Sequence, residues 1–119
     1  MAEPARKKEQ PAEAIDRAHL ARMTFGDASL ERELLELFDR QCELLLARMH
    51  EADDSALATL AHTLKGSAAG IGAWDVKEAA QAAERAAATP DRDRAVAQLT
   101  VAVADARARC AALLRAALA

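Results

Sequence analysis

Residues 55–70 read SALATLAHTLKGSAAG, and the spacing within this stretch decides the fold. On a wheel turned about 100° per residue, Leu57, Leu60, Ala61, Leu64, Ala68 and Ile71 gather on one side, the core stripe of an amphipathic helix. His62 falls roughly 140° from the centre of that stripe and Lys65 roughly 80° from it. The imidazole therefore faces solvent or the edge of the fold. Ala58, Gly66 and Ala69 share its face and carry no side chain beyond a methyl group. Lys65 follows at i+3, and helical side chains lean toward the N-terminus, so its ammonium is expected to reach back over the ring.

The rest of the chain agrees with a helical reading. Its 119 residues include 33 alanines and 15 leucines, no tyrosine and 3% aromatics. Such a composition favours helices and leaves little from which to build a half-buried sheet. The length suits one domain. Gly26-Asp27, Asp53-Asp54-Ser55, Gly70-Ile71-Gly72 and Thr89-Pro90-Asp91 punctuate the body. They leave a short helix at 14–24 and longer ones at 28–51, 54–70, 75–88 and 90–118. Asp75 and Glu78 are spaced as a capping box, and Thr89-Pro90 as a cap with a proline at the first helical position. Short connections make successive helices antiparallel, so the sequence predicts an all-α, up-and-down four-helix bundle with a small additional N-terminal helix. Residues 1–13 are polar, carry two prolines and are expected to be a disordered tail ahead of a domain at 14–119.

The second helix has a wide apolar arc. Leu34, Phe38, Cys42, Leu45 and Met49 form one row, with Leu30, Leu37 and Leu44 on the next. Leu37 and Leu44 either pack against the leading helix or belong to a surface that meets a partner. Val76, Ala79, Ala80, Ala83 and Ala87 supply the stripe of the fourth helix. Val96, Leu99, Val103, Ala106, Cys110 and Leu113 supply that of the fifth. Sixteen basic against nineteen acidic residues, a net charge of −3, argue against a nucleic-acid or anionic-membrane binder driven by bulk charge. Cys42 and Cys110 lie in apolar stripes and read as buried thiols of a reducing compartment. Without a signal peptide or a membrane-length apolar run, a cytoplasmic location is expected.

The chemistry is concentrated around His62. A glycine inside a helix costs roughly 1 kcal/mol relative to alanine, so Gly66 calls for a reason. A bare patch around one exposed imidazole gives a large partner access to the ring. A neutral imidazole offers one nitrogen as a nucleophile. If the incoming group is a phosphoryl, about −2 charge arrives, and a lysine one turn away stabilises it. These residue types and their spacing point to a phosphoryl-accepting histidine.

The string AHTLKGSAAGIGA, Ala61 to Ala73, resembles the signature of histidine-containing phosphotransfer (HPt) domains of bacterial phosphorelays. His62 matches the phosphoacceptor of that family, Lys65 its phosphate-neighbouring lysine, Gly66 its clearance glycine and Gly72 its terminal glycine. Gly70 stands where the family often has asparagine or serine, so a polar contact from that position is missing here. The resemblance extends weakly over residues 15–90, including Leu34 to Phe38 and Ala83-Glu84. It implies a four-helix bundle without kinase activity that takes a phosphoryl group from a receiver-domain aspartate and passes it to another receiver. The partners implied are receiver domains of hybrid histidine kinases and response regulators. The Mg²⁺ of transfer then belongs to the receiver, and no cofactor is expected on this chain. Ala58, Gly66, Ala69, Leu37 and Leu44 become the candidate docking face.

Two other readings fit these residues less well. The phosphoacceptor part of a sensor kinase needs an HExxxP-type box and an ATP-binding domain, and this chain has neither. A receiver-binding adaptor that is never phosphorylated would most simply lack His62 or Lys65. His19 and His50 are expected to be solvated, Ser67 to serve packing or a backbone bond, and Trp74 to close one end of the bundle. Asp105 with Arg109 reads as a solvated charge pair, and no Asp/Cys/His spacing supports a metal site. The initial methionine and polar tail lead to the expectation of a free-standing protein, and a bundle with one exposed functional face to that of a monomer.

Overall fold

The computed structural model describes residues 14–118. Five helices occupy the described residues: α1 (Arg17–Met23), α2 (Ala28–Met49), α3 (Asp54–Ile71), α4 (Trp74–Ala86) and α5 (Arg92–Leu118). Helices α2 to α5 pack in a closed ring, each against the next and α5 back against α2, while α1 lies on α3. This is the expected four-helix bundle with an extra leading helix. The tail expected at 1–13 lies outside the described residues.

Aspartates start the first three helices. Asp16 accepts from the His19 amide, Asp27 from Ser29 and Leu30, and Asp53 from Ala56, each satisfying amides that a helix start leaves free. Between α1 and α2 the chain reverses through two consecutive left-handed residues, Phe25 (φ 56°) and Gly26 (φ 75°). Phe25 adopts that conformation with its side chain 93% exposed.

The core is built from the expected stripes, with small shifts of phase. Leu57, Ala61, Leu64, Ala68 and Ile71 of α3 are buried, and Leu60 is half-buried at the edge. In α2 the buried row is Leu35, Phe38, Cys42, Leu45 and Met49; Leu34 is half-buried where Leu35 takes the core position. Val76, Ala80, Ala83 and Ala87 face inward from the α4 segment, and Ala95, Leu99, Val103, Ala106 and Cys110 from α5. Val96 and Leu113 sit at the margin. Cys42 and Cys110 are free and fully enclosed, and loss of hydration pushes both thiols up to about 12.

Two helix starts differ from the sequence reading. Asp75 and Glu78 form no capping box, because α4 begins one residue earlier at Trp74, behind Ala73, which offers no side-chain cap. The cause is the preceding turn. Gly72 closes α3 in the left-handed region (φ 84°), and the Gly72 and Ala73 amides both bond the Ala68 carbonyl. At the other end of the bundle, Pro90 is not in α5. The Thr89 hydroxyl accepts from the Asp91 amide and holds a turn, so the helix starts at Arg92. Arg92 then bonds Asp54 (3.1 Å) and the Ala52 carbonyl (2.7 Å), tying the start of α5 to the start of α3.

Gly72 also joins the leading helix to the bundle. Its carbonyl accepts from the Asp16 amide (2.9 Å), and an added Cβ would stand 3.0 Å from the Asp16 carbonyl and 3.3 Å from the His19 ring. Gly72→Ala is therefore expected to destabilise the protein by about 1–2 kcal/mol, read from urea unfolding, since it combines a left-handed alanine with a backbone clash.

Candidate phosphotransfer site

With its apolar stripe sealed in the core, α3 can turn His62 only outward. The imidazole is 66% exposed and lies midway along the bundle surface between α3 and α4. Glu84 of α4 meets it there, Oε2 standing 3.1 Å from His62 Nδ1. The other oxygen, Oε1, accepts from Lys65 Nζ, also at 3.1 Å. Lys65 thus reaches sideways to α4 rather than back over the ring, and one carboxylate links the two α3 side chains.

The hydrogen bond from Lys65 is the largest influence on Glu84 and holds its carboxyl below the ordinary glutamate range, with the nearby His62 acting in the same direction. An ionised carboxylate can only accept, so the hydrogen between Glu84 and His62 belongs to Nδ1. Nε2 is then the unprotonated nitrogen of the neutral ring, and its lone pair is the one free for chemistry.

The face beside the histidine is a groove of about 350 Å³ lined by Met23, Leu34, Leu37, Phe38, Gln41, Gly66, Ser67, Gly70 and Ile71. It opens one turn beyond His62, at Gly66. A Cβ added at Gly66 or Gly70 would find nothing within 4 Å, so close helix packing does not require glycine at either position. Leu37 forms part of the groove wall and is 43% exposed; Leu44, two turns further along α2, is 51% exposed. Neither is buried against the leading helix, which leaves an apolar row on the surface beside the histidine face. Ala58 is half-buried, and so is Ala69, whose carbonyl accepts from His19 Nε2 at 3.0 Å.

That last contact corrects the expectation for His19, which is not a solvated residue. It is half-buried on α1, and its ring meets Trp74 edge-on at 4.9 Å. Trp74 does cover the bundle end, partly exposed, with its indole N–H on Asp16 Oδ2. That hydrogen bond is the main reason the Asp16 carboxyl lies below its usual range. His50 is exposed as expected. Ser67 is half-buried along the groove. Asp105 is exposed and Arg109 half-buried, its Nε buried and without a hydrogen-bond partner among the described residues.

Glu84 is a site residue that the sequence motif does not identify. It lies 22 residues from His62, so motif spacing is silent about it. Only the phase of α4, with Ala80, Ala83 and Ala87 in the core, places position 84 on the flank that faces α3.

The Hpt domain family model matches residues 28–117, well over half of the chain. This protein belongs to the Hpt domain family. Domains of this family take part in phosphorelays by histidine phosphotransfer, as carriers rather than kinases, and interact with receiver domains. Helix α1 and the turn carrying Phe25 precede the matched segment. A search of curated proteins gives no match. No helix among the described residues is long and apolar enough to cross a membrane, and no three His, Cys, Asp or Glu side chains there are grouped to hold a metal ion.

Because the space at Gly66 is open, Gly66→Ala is expected to stabilise the fold by roughly 0.5–1 kcal/mol in urea unfolding, the usual gain for alanine over glycine inside a helix. Destabilisation would show that glycine there serves the packing after all.

Proposed function

We propose that this protein is a phosphorelay carrier in which His62 accepts a phosphoryl group from a receiver-domain aspartate and passes it to a second receiver. The observation that carries the proposal is the held imidazole: its Nδ1 is committed to Glu84, its Nε2 is free, and the ring stands out from the helix. In acceptance, the Nε2 lone pair attacks phosphorus, the P–O bond of the aspartyl phosphate breaks, and the aspartate carboxylate leaves with the electron pair. Lys65 supplies the cation beside the incoming group, and the divalent ion of the transfer is assigned to the receiver. Release reverses these steps toward another aspartate.

The receiver covers the groove as well as the histidine. A standard interface of about 800 Å² per partner is a disc of roughly 16 Å radius. Gly66 is four residues from His62 and Gly70 eight, so about 6 and 12 Å along the helix axis. Both fall inside the disc, with Leu37 across the groove and the exposed Leu44 further along α2. Soluble action in the cytoplasm, as a monomer, completes the proposal.

The test is transfer from a panel of phosphorylated receiver domains to the wild type, His62→Gln, Lys65→Ala and Gly66→Leu. Acid-labile label is expected on the wild type and none on His62→Gln. Lys65→Ala should slow transfer roughly tenfold without abolishing it. Gly66→Leu should fold normally yet block transfer. Receiver binding without label on any form would instead make the protein a phosphorylation-independent adaptor.

A further inference from the structure

The turn between α1 and α2 holds Phe25 in the left-handed region (φ 56°), which a bulky L-residue rarely adopts, and leaves the phenyl almost wholly in solvent. The ring therefore gives the fold neither a favoured backbone conformation nor apolar burial. The turn itself is firmly held. Gly26 N–H donates to the Ala21 carbonyl (2.9 Å), Asp27 N–H to the Thr24 carbonyl (3.0 Å), and the buried Thr24 hydroxyl to the Leu20 carbonyl (2.9 Å). An aromatic side chain carried on an ordered turn loses little freedom when a partner covers it. The apolar surface beside the histidine runs out to this turn. Met23, two residues before Phe25, is exposed and lines the groove. Leu44, Leu37 and Leu30 are exposed along one line of α2 at seven-residue steps, about 10 Å each, and the line leads to the same turn.

We propose that Phe25 is a specificity-determining anchor that selects among receiver domains, entering an apolar recess on a receiver whose surface reaches about 20 Å from its phosphorylated aspartate. This rests on the carrier reading of His62. Gly66 and Gly70 lead away from His62 along α3, and α2 runs antiparallel to α3, so the line from Leu44 to Leu30 leads the same way. It covers fourteen residues, about 21 Å, and Phe25 lies past its end. A disc of roughly 16 Å radius about His62, enough for any receiver to dock, stops short of it. A contact outside that shared footprint changes affinity only for receivers that reach it and leaves the chemistry alone, so it separates one receiver from another. A second copy of the chain is a poorer occupant. A stable interface takes about 800 Å² from each partner, and a phenyl supplies about 200 Å². The surface that offers the remainder next to Phe25 is the groove face, where the receiver sits. A membrane is poorer still, since Arg22, Asp27 and Glu33 are exposed close to the ring in sequence.

The test measures initial transfer rates against receiver concentration for a panel of phosphorylated receiver domains, with the full chain as wild type, Phe25→Gly and Phe25→Leu. Glycine removes the ring and suits the left-handed backbone; leucine keeps an apolar side chain in the same place. With the receiver that reaches the turn, Phe25→Gly should raise KM about 30-fold at unchanged kcat, and Phe25→Leu should recover most of the loss. With the other receivers all three proteins should agree within about twofold. The urea midpoint of Phe25→Gly should equal or exceed that of the wild type, because the ring packs on nothing. A lower midpoint would assign Phe25 to the fold, and equal KM values with every receiver, or an equal loss with every receiver, would remove its selective role. A wild-type dimer in sedimentation that Phe25→Gly converts to monomer would give the ring to a second copy and also overturn the proposal. Label on the wild type with Phe25→Gly unchanged is a failure of this inference alone. No label on the wild type from any receiver is a failure of the carrier reading on which it rests.

Discussion

The rotation of α3 about its own axis is the constraint on which the site depends. Leu57, Leu64 and Ile71 lock that rotation, because turning any of them toward water would forfeit roughly 1.5–3 kcal/mol of apolar burial per side chain. With the stripe fixed, His62 has one direction available. The exposure of the imidazole is thus a by-product of core packing on the opposite side of the same helix, and no dedicated loop or cofactor is needed to hold it out. The same rotation sets Gly66 and Gly70 on the groove, where the backbone is uncovered.

Alanine is the second determinant. Ala61 and Ala68 of α3 and Ala80 and Ala83 of α4 are fully buried, and methyl groups on both sides allow two helices to approach at the short end of the usual 8–10 Å spacing. The two-residue connection through Gly72 and Ala73 keeps them together. Close approach is what lets a glutamate on α4 reach two side chains on α3. An alanine-rich sequence buries little area per residue, yet here that composition brings the carboxylate to the histidine.

Much of this was legible in the sequence. The number and order of the helices followed from the 3.6-residue period and from Asp27, Asp53 and Gly72, whose capping roles are local. The outward direction of His62 followed from its angle alone, and the bare surroundings from Gly66. Local rules failed where longer-range contacts decided the outcome. Asp75 is a plausible cap in isolation, but the turn at Gly72 starts the helix before it. His19 reads as a surface residue until α1 folds onto a carbonyl 50 residues away. Leu35 and Leu34 are adjacent apolar residues on a wide arc, and only the neighbouring helices settle which one is enclosed. Glu84 belongs to the same class, since its partners come from another helix and its own helix gives only its flank.

Which ring nitrogen of His62 does the chemistry is open to direct measurement. Phosphorus-coupled NMR of the phosphorylated protein distinguishes a phosphoryl group on Nε2 from one on Nδ1. The geometry of Glu84 and His62 predicts a single species, phosphorylated on Nε2 of His62 with the proton retained on Nδ1. A phosphoryl group on Nδ1, or on any residue other than His62, would contradict it.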